Sequence, residues 1–438
     1  MPSKLKQTYD NTNVSLEEDY TYDSYGNLTK KTEKPFSSAT LLTTQYEYDV
    51  YGRITKESGP ISGIYTTTTY NTAGLPETIK NHKNQTTRYT YDVWGKLIQT
   101  DFPDGTVDKI SYVWSTTPED GLYNTTSTST GKPTNKQYYD ALGREIKTST
   151  VRYDGTELKT NTEYNNKGLV SRVSLAYKGT SPTLWNSYTY DTYNRITKLT
   201  YASGKTDTYS YNLSTTTAVS DGISTKKTYN PFGNVTSVVD PAGTISYKYR
   251  LDGQVLKITA PGGHETNFGY DVFGRRTYIE DATSGRTTYS YDVAGNLSQE
   301  KTAANRITTM TYDSYYRLKT NAVSGMFTTT YAYNTDNQLL SETSTNNTIA
   351  YTYDTYGRLS TEKETAIDSK WLKKTFGYSS GNISSVAYES QSGSIGTENF
   401  SYQNGNLTEI KLGTTSVWKK TAENAMGHTS SAITGPLT

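Results

Sequence analysis

Apolar and polar positions alternate along most of the chain in short runs that end at turn residues. In "TYDSYGNLTK" (Thr21 to Lys30) two rings two positions apart, Tyr20 and Tyr22, precede Asp-Ser-Tyr-Gly, and Leu28 follows. Residues two apart share one face of a strand. Asp or Asn first and Gly fourth suit a type I turn, with Gly supplying positive φ for a bulge. The aliphatic residue after the turn opens a return strand, so the phrase predicts a β-hairpin. No window shows a helical period. Runs such as Thr66-Thr67-Thr68 suit strands and fit helices poorly.

The phrase recurs. Copies starting at Tyr229, Tyr249, Tyr270, Tyr291, Tyr312, Tyr333 and Tyr353 lie 20 or 21 residues apart. Earlier copies start at Tyr22, Tyr48, Tyr70, Tyr91, Tyr139, Tyr164, Tyr190 and Tyr211, and later ones at Tyr378 and Tyr402. The gap from Tyr91 to Tyr139 predicts a degenerate copy near Tyr112. The first Tyr-Asp pair is at Tyr9, inside an imperfect repeat, which points to a start within a longer protein. A fixed period of this length means a repeat architecture. A lone hairpin is marginal in water, so each copy needs its neighbour. The expectation is an all-β chain in which hairpins join into one long antiparallel sheet. The rings of Tyr289 and Tyr291, and of Tyr351 and Tyr353, are expected on one face, against rings of adjacent hairpins. Residues 1–438 form a single array: an imperfect leading repeat at 1–19, repeats over 20–410, and a degenerate tail at 411–438.

Composition changes the picture at three points. The apolar share is only 32%, but 42 tyrosines supply amphipathic rings in place of an aliphatic core. Formal charge is +1 with both signs interspersed, which argues against nucleic acid as a partner. The absence of Cys removes disulfides and thiolate metal sites. No apolar run approaches the roughly 20 residues of a membrane helix, and "MPSKLKQTYD" carries no apolar signal core.

Candidate chemistry is sparse. His82, His264 and His428 are scattered among loops without ligand-spaced partners. The repeated Asp residues lack the spacing of calcium loops and read as turn caps. No nucleophile elbow is present, and no single copy carries an extra acidic pair for glycoside hydrolysis. These observations predict no catalytic residue, no metal site and no cofactor. A propeller enzyme with two hairpins per blade would make alternate copies differ, and they do not.

The phrase Tyr-Asp-x-x-Gly-Arg/Asn-Leu/Ile, with an aromatic residue two places upstream and a period near 21, resembles the YD-repeat (Rhs-type) proteins from about Tyr20 to Leu407. That family includes bacterial Rhs polymorphic toxins, cage subunits of insecticidal toxin complexes and the teneurin shell. The resemblance implies a sheet that spirals into a curved, incomplete shell, without enzymatic activity. It implies a secreted or cell-surface bacterial protein of which this chain is one part. Its partners would be the remaining shell, an enclosed cargo polypeptide such as a C-terminal toxin, or further copies joined through open sheet edges. The alternative is an adhesion or carbohydrate-binding module using exposed tyrosines. The family's cleavage segment carries a DPxG-type phrase. Here Asp240-Pro241-Ala242-Gly243 lies mid-chain and reads as a tight turn. The shell-closing segment and any cargo are expected to lie outside this sequence.

Overall fold

A computed structural model describes residues 3–8, 15–34, 41–424 and 426–435; the Tyr9 pair lies outside them. Among the described residues are thirty-nine β-strands, between Lys4 and Thr434, and short 3-10 turns at Pro118–Asp120 and Pro261–Gly263. Strands pair antiparallel with their neighbours in the chain, as Gly285–Tyr291 does with Leu297–Lys301 and with Arg276–Asp281. The result is one open antiparallel sheet, not closed into a barrel. Contacts divide it into two compact units. One comprises residues 1–86, 227–352 and 362–371, and the other 87–226, 353–361 and 372–438.

The Asp-x-x-Gly phrases are the short hairpin turns. At Asp23 the amide of Gly26 donates to the Asp23 carbonyl at 3.1 Å, and the Asp23 amide donates to Asn27 O at 3.0 Å. The extra residue shifts the strand register between Thr21 and Tyr22, and equivalent shifts recur down the chain. This is a type I turn with a G1 bulge. Asp23 Oδ1 accepts the amides of Tyr25 and Asn27, each at 2.9 Å. The same pattern recurs at Asp49, Asp140, Asp191, Asp313 and Asp354. The phrase Asp240-Pro241-Ala242-Gly243 is likewise a hairpin turn, with Asp240 paired to Gly243 and its carboxylate accepting the Ala242 amide at 2.8 Å.

Two further contacts recur between successive hairpins. The hydroxyl of the second Tyr donates to the first backbone carbonyl of the previous return strand. Examples are Tyr48 to Leu28 (2.7 Å), Tyr291 to Arg276 (2.8 Å), Tyr312 to Leu297 (2.9 Å) and Tyr378 to Leu359 (2.8 Å). Where Arg follows the turn glycine position, its Nε donates to the second oxygen of its own turn Asp, at 2.7 Å for Arg275–Asp271 and Arg317–Asp313. The guanidinium then lies over the Tyr of the next hairpin. Arg53–Tyr70, Arg144–Tyr164, Arg195–Tyr211, Arg275–Tyr291, Arg317–Tyr333 and Arg358–Tyr378 all measure 4.2 to 4.4 Å to the ring centroid. Asn27 and Asn296 substitute an amide for the guanidinium.

The sequence expectation of ring on ring is therefore modified. Tyr289 and Tyr291 are both half-buried with Ser290 exposed between them, so they share a face. Together with Phe268, Tyr270 and Arg276 they line a cleft of about 730 Å³. The group that covers Tyr291 is the Arg275 guanidinium. Burial is thin throughout: among the described residues, Tyr138, Tyr177 and Val386 are the buried apolar side chains. Tyr and Thr, half-buried along strands, take the place of a closed aliphatic core.

Two expectations follow. Burial pushes the phenols of Tyr48, Tyr164, Tyr190, Tyr291, Tyr312 and Tyr378 above the ordinary tyrosine range. Burial also acts to raise Asp49, Asp140, Asp191, Asp313 and Asp354, but hydrogen bonds from the arginines and turn amides outweigh it, so these carboxyls sit below their usual range. A lowered carboxyl stabilises above its unfolded pKa and loses that stabilisation in acid, whereas a raised phenol stabilises below its unfolded pKa and loses it in alkali. Thermal stability should form a plateau between about pH 4 and pH 10 and fall on both sides, given unfolded values of about 3.9 and 10. A melting temperature unchanged from pH 7 to pH 11.5 would contradict this. Separately, Tyr291→Phe should cost about 1 kcal/mol, one neutral hydrogen bond, read as faster amide hydrogen exchange in strands 276–281 and 285–291.

Candidate functional site

The sequence singled out three histidines, His82, His264 and His428. His264 and His428 are exposed. His82 is not the free loop histidine that the sequence suggested. Its Nε2 lies 2.7 Å from Asp336 Oδ1, Lys83 pairs with the same carboxylate, and Tyr65 meets its ring edge-on at 6.5 Å. The cause is a contact with a turn 254 residues away, which local sequence does not encode. Among the described residues, no group of three or more His, Asp or Glu is placed to hold a metal ion. No described helix is long and apolar enough to cross a membrane.

What the structure does build is a seam. The His82–Asp336 contact joins a Tyr-Asp-type turn, Asn334 to Asn337, to a turn at the opposite strand ends, Asn81 to Asn84. The second unit repeats the arrangement along its own seam. Arg358 Nη1 reaches Asp104 at 3.4 Å, and Asn382 Nδ2 donates to Gly131 O at 2.7 Å. Asn404 Nδ2 donates to the carbonyls of Arg152 and Tyr153. Arg152 closes on Glu423 through two hydrogen bonds, at 2.7 and 2.9 Å. The Glu423 side chain is 0% exposed, with Lys420 at 3.0 Å and Lys178 at 3.9 Å. The Arg152 hydrogen bonds hold this carboxyl below its usual range against the opposing effect of burial. A buried carboxylate is tolerable only when paired in this way. The sequence separations across these seams run from 251 to 275 residues.

Glycine sets the closeness of the approach. A Cβ at Gly405 would lie 2.2 Å from the Lys132 carbonyl carbon, and one at Gly131 would lie 1.9 Å from Ser380 O. Both also have positive φ, +71° and +73°. Sequence reading accounted for glycines as turn residues. It missed the seam, whose partners have no common motif. It noted the recurring Arg or Asn four residues after the turn Asp but not the ring of the next hairpin that the guanidinium covers.

A polar seam between turns of distant repeats, on a sheet of latched hairpins, defines a repeat shell. The sequence profile of the teneurin YD-shell matches residues 105–317 and 222–370, more than half of the sequence, and the chain belongs to that family. Its fold is similar to that in the crystal structure described as TcdB2-TccC3-Cdc42, with a TM-score of 0.58 at 14% identity, covering 98% of this chain and 27% of that one. TcdB2-TccC3-TEV gives 0.49 at 13% identity, covering 93% and 27%. The Photorhabdus luminescens Tc holotoxin pore gives 0.41 at 12% identity, covering 99% and 29%. The chain thus spans between a quarter and a third of the length of these structures. No curated protein matches it in sequence. Family and fold together make it a YD-repeat, Rhs-type structural shell segment.

The seam glycines yield a graded test. Gly143 has φ +73° but open space at its Cβ. Gly143→Ala should cost only the left-handed backbone penalty, about 1 to 2 kcal/mol. Gly405→Ala adds a backbone clash and should cost clearly more, with faster hydrogen exchange around Lys132 and Pro133 as well as around 403–407. Equal losses in the two variants would show that the seam does not constrain position 405.

Proposed function

We propose that this chain is a non-enzymatic wall segment of a longer secreted or surface-exposed bacterial protein, and that the completed wall encloses a cargo polypeptide such as a C-terminal toxin. One observation carries the reading. Turns 251 to 275 residues apart dock along polar seams in each unit, so successive passes of one sheet seal against each other. Adhesion, a lone binding domain or an enzyme would not require such sealing. The repeats of 20–410 act as one array, and further shell sequence or further copies complete its edges.

The exposed turn tips support the need for completion. Tyr25, Val50 and Tyr51 in one unit, and Leu142 and Tyr193 in the other, are apolar and stand in solvent. Carbohydrate contact is supported at one place, the exposed rings around Trp94 and Trp114.

Limited proteolysis of the parent protein tests enclosure. The segment following the repeats should resist protease in the intact protein and become sensitive in Glu423→Ala. Breaking a buried ion pair costs about 3 to 5 kcal/mol, and here it would loosen the seam. A following segment cut equally fast in both proteins, and as fast as the isolated segment, would show that nothing is enclosed.

A further inference from the structure

Asn followed by Gly occurs once in the sequence, at Asn404-Gly405, and the structure puts that pair in the seam. The hairpin of Gly393–Gln403 and Asn406–Leu412 turns in two residues, without the Asp-x-x-Gly phrase of most repeats. Both turn residues have positive φ, 48° at Asn404 and 71° at Gly405, as a type I′ turn requires. Asn tolerates such angles better than most residues, and Gly adopts them without penalty.

The Asn404 side chain has a second duty. Its Nδ2 donates to the carbonyls of Arg152 at 3.1 Å and Tyr153 at 3.3 Å, on a turn 252 and 251 residues earlier in the chain. Those two carbonyls can take up both amide hydrogens. Gly405 presses on the same opposing pass, at Lys132 and Pro133. Asn404 is nonetheless exposed, so water reaches it. In an Asn-Gly pair the backbone nitrogen attacks the preceding side chain most readily, because glycine has no Cβ to obstruct it.

We propose that Asn404-Gly405 is a self-modifying latch: the docked seam keeps it as asparagine, and once the turn undocks it converts to aspartate or isoaspartate and cannot dock again. In the docked state Nδ2 is tethered to the opposing pass while Gly405 is held against Lys132 and Pro133, so Cγ and the Gly405 nitrogen cannot close on each other. Local opening frees both. The Gly405 nitrogen then bonds to Asn404 Cγ, the Cγ–Nδ2 bond breaks, and Nδ2 leaves as ammonia with the proton of the Gly405 amide. Water opens the resulting five-membered imide. Cleavage at Cγ gives aspartate, and cleavage at the former main-chain carbonyl gives isoaspartate. The sum is amide plus water giving carboxylate plus ammonium.

Either product fails at the seam. An ionised carboxylate only accepts, so it would face two carbonyls with no donor between them. Isoaspartate also adds one atom to the main chain of a turn where Gly405 has no room even for a Cβ. Asn382 is the internal control. It makes the analogous contact to Gly131 O, but Ile383 follows it, and that branched side chain obstructs the attack. The inference uses the seam alone and holds whether or not the wall encloses a cargo.

The test compares the full chain with a synthetic peptide of residues 401–408 in mildly alkaline buffer, following amide-to-acid conversion by peptide mass spectrometry. Asn404 should convert at least tenfold more slowly in the full chain than in the peptide, and Asn382 more slowly still. Glu423→Ala, which loosens the neighbouring seam contact, should bring the Asn404 rate toward that of the peptide. Asn404→Asp, whose side chain is exposed, decides where that variant does not fold. It should keep wild-type circular dichroism and show faster hydrogen exchange around Lys132 and Tyr153. Equal rates in chain and peptide would overturn the inference, because the seam would then not guard the site. So would Asn382 converting as fast as Asn404, or a Glu423→Ala chain whose seam exchanges faster while Asn404 converts no faster. Asn404→Asp exchanging like the unchanged chain would overturn it as well, by showing that the product still docks.

Discussion

The Arg guanidinium held between its own turn carboxylate and the ring of the following hairpin is the junction on which the rest depends. At Arg275 one side chain bonds Asp271, fixing the turn behind it, and covers Tyr291 ahead of it. Tyr291 in turn bonds the Arg276 carbonyl, closing a loop of contacts across two consecutive repeats. Each part is small: about 1 kcal/mol for the hydrogen bond, 0.5 to 2 for the cation over the ring, and up to about 1 for a half-exposed ion pair. In repeat proteins, stability accumulates from terms between neighbours. A modest junction made many times can hold a sheet that no single hairpin could.

That arrangement explains how a chain of this length can bury so little. Stabilisation comes from beside each strand rather than from a layer above it. The faces are thereby left open, which suits a wall. It also explains the composition. Tyr supplies both the ring that arginine covers and the hydroxyl that the backbone accepts, a pair of duties that Phe cannot perform.

Much of this was legible in the sequence. The hairpins and their turns followed from the spacing of Tyr, Asp and Gly, except for the hairpin of Thr415–Glu423 and Thr429–Thr434 in what the sequence left as a degenerate tail. The turn at Asp240-Pro241-Ala242-Gly243 followed from local chemistry. Local information was sufficient because the repeat joins near neighbours. The arginines were visible but their ring contacts were not: their position four residues after Asp recurs at Arg53, Arg144, Arg195, Arg275, Arg317 and Arg358, yet the ring that each covers belongs to the next phrase. The seams were not legible. Nothing near His82 mentions Asp336, and nothing near Arg152 mentions Glu423, because a separation set by a dozen intervening hairpins leaves no periodic trace. The hairpin of Val107–Trp114 and Tyr123–Ser129 showed only as a gap in the spacing, read as a degenerate copy near Tyr112.

The near-constant separation across the seams limits how such a chain can change length. Removing one hairpin between Gly131 and Asn382 would carry Asn382 one unit along the opposing row, and each later seam contact would lose its partner together. Changes within a turn, like the eight residues from Ser115 to Leu122, leave that count intact. Insertions and deletions should therefore be tolerated at turn tips and at the ends of the array, while whole-unit changes inside it would have to come with a rewritten seam. The number of hairpins per pass is in this sense inherited as a single trait.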